Sequence, residues 1–339
     1  MKILFAASDL RSLHRFRTPL IEKLKREGHA VYLSAPDGPI PLSFENQKKN
    51  PAHDIRVLWK IYRTLQDLKP DIIFSYHLKP TLYMGLVAYL FPSIVHMPTV
   101  TGLGYLKNAR FLYKPYRLML KRAYKVFVQN EDDIAWLKTC LLSDPQKYQY
   151  VPGSGIDLRA FPFSPLPDTS LSFLFIGRFI KSKGVIDYIQ AIGALKKDYP
   201  AIHASVIGKS DTHPEALEPD YIERLCEKNG VDYIGYVEDI QPYLQAHHIF
   251  VLPSTYPEGV PRAGIEALAI GRPIITTNHP GCKDLVNGRN GILISTTLEE
   301  AMRFMIKAPL GDMSFESRAL AESKFDVEKV NEIMCQFIQ

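Results

Sequence analysis

The feature that most constrains this chain is an alternation, present in both halves, of short apolar runs with longer amphipathic segments. The apolar runs are KILFAAS, HAVYLSAP, PDIIFSY, SIVHMPTV and KVFVQN in the first half, and SFLFIG, HASVIG, VDYIGY, HIFVLPS, RPIITT and GILIS in the second. Apolar runs of this kind between amphipathic helices are typical of parallel strands that are covered on both faces. The sequence therefore predicts an α/β fold with two doubly wound domains.

A segment rich in proline and glycine, PGSGIDLRAFPFSPLPD, separates the two halves. Such composition is typical of a linker, and 339 residues are long for a single hydrophobic core. We therefore expect one Rossmann-like domain over residues 1–165 and a second over residues 166–322.

Composition excludes several other classes of protein. The chain is 46% hydrophobic and 23% charged, and its four cysteines contain no CxxC pair, which argues against structural zinc and against a disulfide framework. The opening MKILFAASDL lacks the longer apolar core and the cleavage site of a signal peptide. No apolar run approaches the roughly 20 residues that span a bilayer. We expect a cytoplasmic protein.

The net charge of +5 conceals an asymmetry between the halves. Residues 1–165 hold 24 Lys and Arg against 13 Asp and Glu, a net +11, whereas residues 166–339 hold 17 against 23, a net −6. A basic half indicates an anionic partner, which is a nucleic acid, a phosphorylated acceptor or a membrane surface.

Two cations follow the first apolar run of the second half. In doubly wound folds ligands bind beyond the carboxyl ends of the strands, and RFIKSKG directly follows SFLFIG. Arg178 and Lys183 stand in this loop, ahead of a helix that we expect to begin at Val185. Two cations and a helix N-terminus suit a diphosphate. The alternative is two solvated surface charges.

Two carboxylates follow the run HIFVLPS, in the stretch PEGVPRAGIEA. Pro257, Gly259 and Pro261 predict a tight loop that carries Glu258, and a helix should begin near Arg262 and place Glu266 one turn in. Carboxylates accept strong hydrogen bonds from vicinal hydroxyls, so these two suit two rings of one ligand. The alternative is that both are exposed surface charges, as most glutamates are.

Three familiar phosphate or metal motifs are missing. The chain has no G-x-x-x-x-G-K-[ST] and no complete G-x-G-x-x-G, because TGLGYL supplies only Gly102 and Gly104. It also has no D-x-D pair for a metal-bound sugar nucleotide. P-loop and dinucleotide functions are therefore disfavoured.

The E-x7-E pattern, the preceding FVLPS, the GR…KG loop and the run GRPIITTNHPGCKDLVNGRNGILI together resemble the retaining GT-B glycosyltransferases of family four. The resemblance covers nearly the whole chain. It implies two Rossmann-like domains that face a central cleft and a helix over 323–339 that returns to the first domain. It also implies that the sugar keeps its anomeric configuration and that neither a cofactor nor a metal is needed.

The resemblance assigns roles to residues of the second domain. Glu258 would contact the donor sugar, aided by the backbone of Gly259 and Val260. Glu266 would bind the ribose of a UDP-sugar, and the base would lie near Val237. Arg178 and Lys183 would neutralise the diphosphate as it leaves.

The first domain resembles a narrower group, the transferases that extend undecaprenyl-diphosphate-linked sugars, including N-acetylgalactosaminyltransferases. The resembling stretches are LHRFRTPLI, SYHLKPTLYMGLVA and PTVTGLGYL. The acceptor-side candidates that they supply are His14, Arg17, His77, Lys79, Thr101, Gly102 and Gly104. Each histidine has the alternative of a purely structural role. Thr101 departs from the family, since many members place a donor-contacting histidine there.

A basic segment, NARFLYKPYRLMLKRAYK, interleaves six cations with apolar and aromatic residues. The cations are Arg110, Lys114, Arg117, Lys121, Arg122 and Lys125, and the apolar residues are Phe111, Leu112, Tyr116, Leu118 and Met119. This pattern suits a helix on anionic lipid, although a core helix with a solvated basic face has the same pattern. With a polyprenyl acceptor, we expect peripheral attachment to the inner face of the plasma membrane and no nucleic-acid partner.

The function that we predict is transfer of a hexose or N-acetylhexosamine from a UDP-sugar to a lipid-linked saccharide, in surface polysaccharide or glycoprotein glycan assembly. One alternative is a sugar-nucleotide epimerase on the same scaffold, which would leave the basic segment unexplained. Another is a non-catalytic two-lobed sugar-binding protein, which is usually exported.

Overall fold

A computed structural model describes residues 1–44, 51–141 and 144–338 and divides the chain into two compact units. Unit 1 contains Met1–Gly155 and the chain from Glu328 onward, and unit 2 contains Ile156–Val327. The sequence analysis placed the divisions after residues 165 and 322, within the linker and before the last helix.

Ile156 lies in unit 2 because of its backbone hydrogen bonds. Its N–H donates to the carbonyl of Phe325 over 2.7 Å, and its carbonyl accepts from the N–H of Val327 over 3.0 Å. The second part of the linker packs on the same unit, where Phe163 stacks on Phe315 with ring centroids 5.3 Å apart.

Unit 1 is a parallel sheet of seven strands in the order β3-β2-β1-β4-β5-β6-β7. The strands are β1 Lys2–Ala6, β2 Ala30–Ala35, β3 Ile40–Pro41, β4 Ile72–Tyr76, β5 Val95–Val100, β6 Val126–Val128 and β7 Tyr148–Tyr150. The α-helices are α1 Leu10–Arg26, α2 Pro51–Leu68, α3 Leu78–Val87, α4 Gly104–Asn108, α5 Tyr113–Arg122, α6 Glu131–Leu141 and, after unit 2, α13 Val327–Cys335. Short 3-10 turns cover Ala88–Leu90, Arg110–Leu112 and Pro145–Lys147.

Strand β1 shows how the sheet of unit 1 is covered on both faces. Its side chains alternate between the faces: Ile3 and Phe5 belong to one core cluster, and Leu4 and Ala6 to another. Helices α1 and α13 cover the first face, and α2 and α3 cover the second. The last helix therefore packs on unit 1.

Unit 2 is a parallel sheet of six strands in the order β10-β9-β8-β11-β12-β13. The strands are β8 Ser172–Ile176, β9 His203–Ile207, β10 Asp232–Gly235, β11 Ile249–Leu252, β12 Ile274–Thr277 and β13 Gly291–Ile294. The α-helices are α7 Val185–Leu195, α8 Pro219–Asn229, α9 Gln241–Ala246, α10 Arg262–Ile270, α11 Leu298–Ile306 and α12 Leu310–Leu320. 3-10 turns cover Lys181–Lys183 and Lys283–Leu285, and a π-helical turn covers Ala321–Phe325.

In both units the chain reverses its direction of winding at one pair of neighbouring strands. In unit 1 this pair is β1 and β4, and in unit 2 it is β8 and β11. The crevice beyond the carboxyl ends of such a pair is where open α/β sheets bind ligands. The loops after these four strands are therefore the first places to look for a site.

Candidate functional site

The two loops at the switch point of unit 2 are held against each other by backbone contacts. Gly184, at the start of α7, has φ 76°, and a Cβ there would lie 2.4 Å from the carbonyl oxygen of Pro253. Only glycine tolerates that conformation and that approach. The N–H of Thr255 also donates to the carbonyl of Ser182 over 2.8 Å. The loop after β8 and the loop after β11 thus form one wall.

Lys183 and Glu258 meet across this wall. Lys183 is only 6% exposed, and its ammonium contacts Oε1 of Glu258. The hydroxyl of Ser254 lies 3.5 Å from the same carboxylate oxygen. Lys183, which is predicted to bind the diphosphate, and Glu258, which is predicted to contact the sugar, are therefore neighbours in space.

Arg178 and Lys183 both lie over the ring of Tyr256. The Arg178 guanidinium carbon lies 4.9 Å from the centroid of the Tyr256 ring, and the Lys183 ammonium lies 5.6 Å from it. Cations over the face of an aromatic ring are attracted by its quadrupole. The structure thus brings the two cations together on a ring that the sequence analysis did not single out.

Asp211 is a second residue that the sequence analysis missed. Its Oδ2 accepts a hydrogen bond of 2.7 Å from Arg178, and its Oδ1 accepts one of 2.6 Å from the His213 N–H. Partial burial is the largest single influence and acts to raise the pKa of Asp211, but the hydrogen bonds from Arg178 and from the His213 N–H, together with the nearby positive charge, outweigh it and hold the pKa below its usual value. Asp211 follows β9, the strand beside β8. Its position after a strand that neighbours the strand before Arg178 was the feature from which it could have been predicted.

Glu266 lies on α10, which begins at Arg262 as the sequence predicted. Its side chain is buried, and Oε1 accepts a hydrogen bond of 2.8 Å from Nε of Arg262 one turn earlier. An ion pair between residues i and i+4 of a helix, such as Arg262 and Glu266, can be predicted from the sequence alone. A charged carboxylate buried beside one cation is a strong acceptor for hydroxyl groups.

The remaining donor-side candidates are Gly259 and Val260, which follow β11, and Val237, which follows β10. Gly259 and the buried Val260 stand between Glu258 and α10, and a Cβ on Gly281 would lie 1.8 Å from the carbonyl oxygen of Gly259. Val237 follows β10, the edge strand, and is half-buried against the core of unit 2.

At the switch point of unit 1, the loop after β1 meets the loop after β4. The N–H of Ser8 donates to Nδ1 of His77 over 3.2 Å. The half-buried His77 ends the connection between β4 and α3 in a positive-φ conformation, φ 67° and ψ 158°. Burial lowers the pKa of this histidine.

Arg17 and His14 lie about one turn apart on α1 and differ in burial. Arg17 is 5% exposed, and its guanidinium carbon lies 4.4 Å from the centroid of the Tyr76 ring. Burial raises the pKa of Tyr76 to about 12, so this hydroxyl is neutral at physiological pH. His14 is exposed.

The other acceptor-side candidates lie after β4 and β5, in the loops and in the first turns of α3 and α4. Lys79 pairs with Asp54 of α2 over 3.0 Å. Thr101 follows β5 directly, Gly102 has φ 130°, and Gly104 begins α4. All of these loops lie at the carboxyl edge of the sheet.

The basic segment folds as a 3-10 turn followed by α5, and part of the prediction for it is wrong. Tyr116 and Met119 do not face solvent, because α5 turns them into the core of unit 1. Phe111 remains 66% exposed and Leu118 46% exposed. The hydroxyl of Tyr89 donates to the carbonyl of Leu118 over 2.6 Å and adds a further exposed ring.

The six cations of the segment divide into two groups. Arg122 donates to three backbone carbonyls around Phe91, the shortest bond being 2.7 Å, and Lys125 donates to the carbonyl of Gln146 over 2.8 Å. These two hold loops in place. Arg110, Lys114 and Lys121 are exposed, and Arg117 is half-buried. We call Arg110, Phe111, Lys114, Leu118 and Lys121 the basic surface.

Two glycosyltransferase family models match the chain, one in each unit. The family described as "Glycosyl transferases group 1" matches residues 170–308, and the family described as "Glycosyl transferase 4-like" matches residues 2–130. The first match contains the wall of unit 2, and the second contains the switch point of unit 1. No helix in the described ranges is long and apolar enough to cross a bilayer.

Two curated relatives and one solved structure are similar to the chain over most of its length. An N,N'-diacetylbacillosaminyl-diphospho-undecaprenol α-1,3-N-acetylgalactosaminyltransferase of Campylobacter jejuni is 25% identical, over 87% of this chain and 86% of its own. A UDP-Gal:α-D-GlcNAc-diphosphoundecaprenol α-1,3-galactosyltransferase of Escherichia coli is 27% identical, over 71% of this chain and 66% of its own.

The solved structure is HepE of Anabaena in complex with UDP and glucose. It superposes with a TM-score of 0.78 at 18% identity, over 100% of this chain and 99% of its own. At that identity the match establishes the fold. The predicted GT-B architecture of two Rossmann-like domains is confirmed.

Proposed function

The chain belongs to the group 1 glycosyltransferases, and we propose that it transfers a hexose or N-acetylhexosamine from a UDP-sugar to an undecaprenyl-diphosphate-linked saccharide. The observation that carries the donor half of this proposal is the contact of Lys183 with Glu258 beside the Tyr256-supported Arg178. It puts cations for a diphosphate next to a carboxylate for a sugar, at the strand ends where ligands bind.

The donor occupies the wall of unit 2 in this proposal. Arg178 and Lys183 bind the diphosphate, and Glu266, already oriented by Arg262, accepts hydrogen bonds from the ribose hydroxyls. Glu258 accepts from a hydroxyl of the transferred sugar, with Gly259 and Val260 alongside. The uracil lies near Val237.

The chemistry is a substitution at the anomeric carbon with retained configuration. The bond between that carbon and the diphosphate oxygen breaks, and UDP leaves with the electron pair. The acceptor hydroxyl attacks from the same face, and its proton passes to the departing phosphate oxygen. Charge grows on the diphosphate as the bond breaks, so fixed cations stabilise the transition state more than the ground state. The two cations fill the role that a divalent metal has elsewhere, and we propose that no metal or other cofactor is needed.

The acceptor half rests on unit 1 and on the relatives. Both curated relatives carry an undecaprenol diphosphate acceptor in their names. Unit 1 supplies His14, Arg17, His77, Lys79 and the loop from Thr101 to Gly104 at one edge of its sheet. The basic surface carries three exposed cations and two exposed apolar side chains, which suits the anionic inner leaflet where such an acceptor is embedded.

The experiment that tests this proposal follows UDP release. The protein is incubated with a panel of UDP-sugars, with and without an undecaprenyl-diphosphate-linked saccharide. We expect one donor to give UDP release that depends on the acceptor. Interconversion of the UDP-sugars without release of UDP would indicate an epimerase, and binding without turnover would indicate a sugar-binding protein.

A further inference from the structure

His77 is held in a backbone conformation that a histidine adopts only under constraint. It is one of two non-glycine residues with positive φ in the described part of the chain. Such conformations persist where the surroundings enforce them, and they cluster at binding sites. His77 also stands where β4 ends at the switch point of unit 1, beside the loop after β1. Both its position and its backbone conformation are therefore typical of a residue in a binding site.

The bond with Ser8 determines which ring nitrogen carries the proton. A backbone N–H can only donate, so Nδ1 of His77 must present its lone pair to Ser8. In a neutral imidazole the proton is then on Nε2. Nε2 makes no hydrogen bond within the described ranges, and the half-buried ring can reach a ligand.

The surroundings keep the ring neutral. The charged groups that act on it are Asp9 from the loop after β1 and Arg17 from α1, whose guanidinium lies over the ring of Tyr76 on β4. Burial is the largest influence and lowers the pKa of His77; Arg17 acts in the same direction, and Asp9 opposes them. Protonation would also place a second N–H against the Ser8 N–H. A neutral ring with its only lone pair in use cannot take a proton from a substrate.

We propose that His77 binds the acceptor saccharide as a fixed hydrogen-bond donor, through Nε2–H to a hydroxyl oxygen, and that it is not the base of the reaction. This inference rests on the proposed function, since it assigns a role at the acceptor side of that reaction. The hydrogen bond from the Ser8 N–H fixes the tautomer before the acceptor arrives. A donor fixed in advance loses no rotational freedom on binding.

Two variants separate the two ring nitrogens. In His77→Asn the side-chain oxygen takes the place of Nδ1, but the outer donor is lost, and a backbone at φ 67° and ψ 158° is strained for asparagine as it is for histidine. In His77→Gln the side-chain amide reaches the place of Nε2. At saturating UDP-sugar we expect His77→Asn to raise KM for the lipid-linked acceptor about tenfold, the equivalent of one hydrogen bond. KM for the UDP-sugar and the melting temperature should stay as in the wild type, and His77→Gln should recover part of the loss.

An unchanged acceptor KM in His77→Asn would overturn the proposal, as would an equal rise in KM for the UDP-sugar. Since the pKa of His77 lies below its usual value, wild type and His77→Gln should share one pH–rate profile between pH 7 and 8. An ascending limb present only in the wild type would identify His77 as a base.

The tautomer is measured without any substrate by 15N NMR of the imidazole, with His77 assigned from the spectrum of His77→Asn. We expect the proton on Nε2 and a neutral ring at pH 7. A proton on Nδ1, or a charged ring, would contradict the inference. Because this readout needs no turnover, failure of the tautomer assignment is distinguishable from failure of the proposed transferase activity.

Discussion

The ammonium of Lys183 contacts the carboxylate of Glu258, which lies 75 residues later in the chain. The pair joins the end of β8 to the end of β11, and Tyr256 supports it from one side. Breaking a buried pair by removing one partner costs about 3–5 kcal/mol, because the remaining charge stays buried without its counterion. The contact therefore holds the loop after β8 and the loop after β11 together, in addition to the binding role that we propose for it.

Replacing Arg178 by alanine should reduce turnover while it leaves the fold largely stable, whereas Lys183→Ala should reduce both turnover and stability. In the proposed reaction each cation stabilises charge that develops on the leaving diphosphate, and losing one such group costs on the order of 10²–10³ in kcat. Lys181 is exposed in the same turn, so Lys181→Ala is the matched control and should keep wild-type turnover. The measurements are kcat and melting temperature for all three variants.

Lys183→Ala needs a second variant, since it leaves Glu258 without its partner. Lys183→Ala combined with Glu258→Gln removes that charge and should restore most of the melting temperature without restoring turnover. Wild-type kcat in Arg178→Ala and in this double variant would show that the cations only stabilise the loops.

Glu266→Gln should weaken UDP binding while the fold survives. The amide keeps the shape of the buried side chain but loses charge-assisted hydrogen bonds worth about 1.5–3 kcal/mol, which corresponds to roughly 10- to 150-fold in Kd. Glu227 is exposed on α8, and Glu227→Gln is the control. Calorimetric titration with UDP measures both, and equal affinities would remove Glu266 from the donor site.

The sequence was sufficient to locate the wall of unit 2 because continuous apolar strands predict a parallel sheet, and a parallel sheet brings its strand ends to one edge. Arg178, Lys183, Glu258 and Glu266 were found in that way. Asp211 was not found, because no recognisable motif surrounds it and it lies 33 positions from Arg178. Only the order of the strands in the sheet makes the two residues neighbours.

Side-chain orientation was harder to predict than position. The basic segment alternates cations with apolar residues, but the sequence does not show how the helix is rotated about its axis. Tyr116 and Met119 turn inward, and Phe111 and Leu118 stay outside. The tautomer of His77 was also beyond reach, because it depends on a bond to a backbone N–H 69 residues away.

His96 should make unit 1 less stable in mild acid. Its ring is fully buried on β5 and hydrogen-bonded to Ser75 over 2.8 Å, and burial lowers its pKa to about 3. Below pH 6.5 the unfolded chain takes up a proton that the folded ring does not, so the free energy of unfolding falls as the pH falls. Between pH 7 and pH 5 this amounts to about 2 kcal/mol.

Tryptophan fluorescence during urea unfolding measures the effect in the right unit, because Trp59 and Trp136 both lie in unit 1. The loss of stability from pH 7 to pH 5 should be about 2 kcal/mol smaller in His96→Gln than in the wild type, even if the variant is less stable at both values. Equal losses would mean that His96 titrates normally in the fold.

Lys114→Glu combined with Lys121→Glu should release the protein from anionic vesicles. Each basic residue near such a surface contributes on the order of 1 kcal/mol, so losing two weakens partitioning about 30-fold or more. Lys197 and Lys228 are exposed in unit 2, and their reversal to Glu is the control. Co-sedimentation with anionic and neutral vesicles over a salt series tests this. Equal binding to both kinds of vesicle would mean that the basic surface is only solvated.

The most direct test of the account is the configuration of the new glycosidic bond, formed in EDTA from the α-linked UDP-sugar that supports turnover and a lipid-linked acceptor. The anomeric proton coupling in the 1H NMR spectrum of the product measures it. We expect an α-linkage and an undiminished rate, because in the proposed reaction Arg178 and Lys183 stabilise the leaving diphosphate without a metal. A β-linkage, or a rate restored only by a divalent cation, would contradict it.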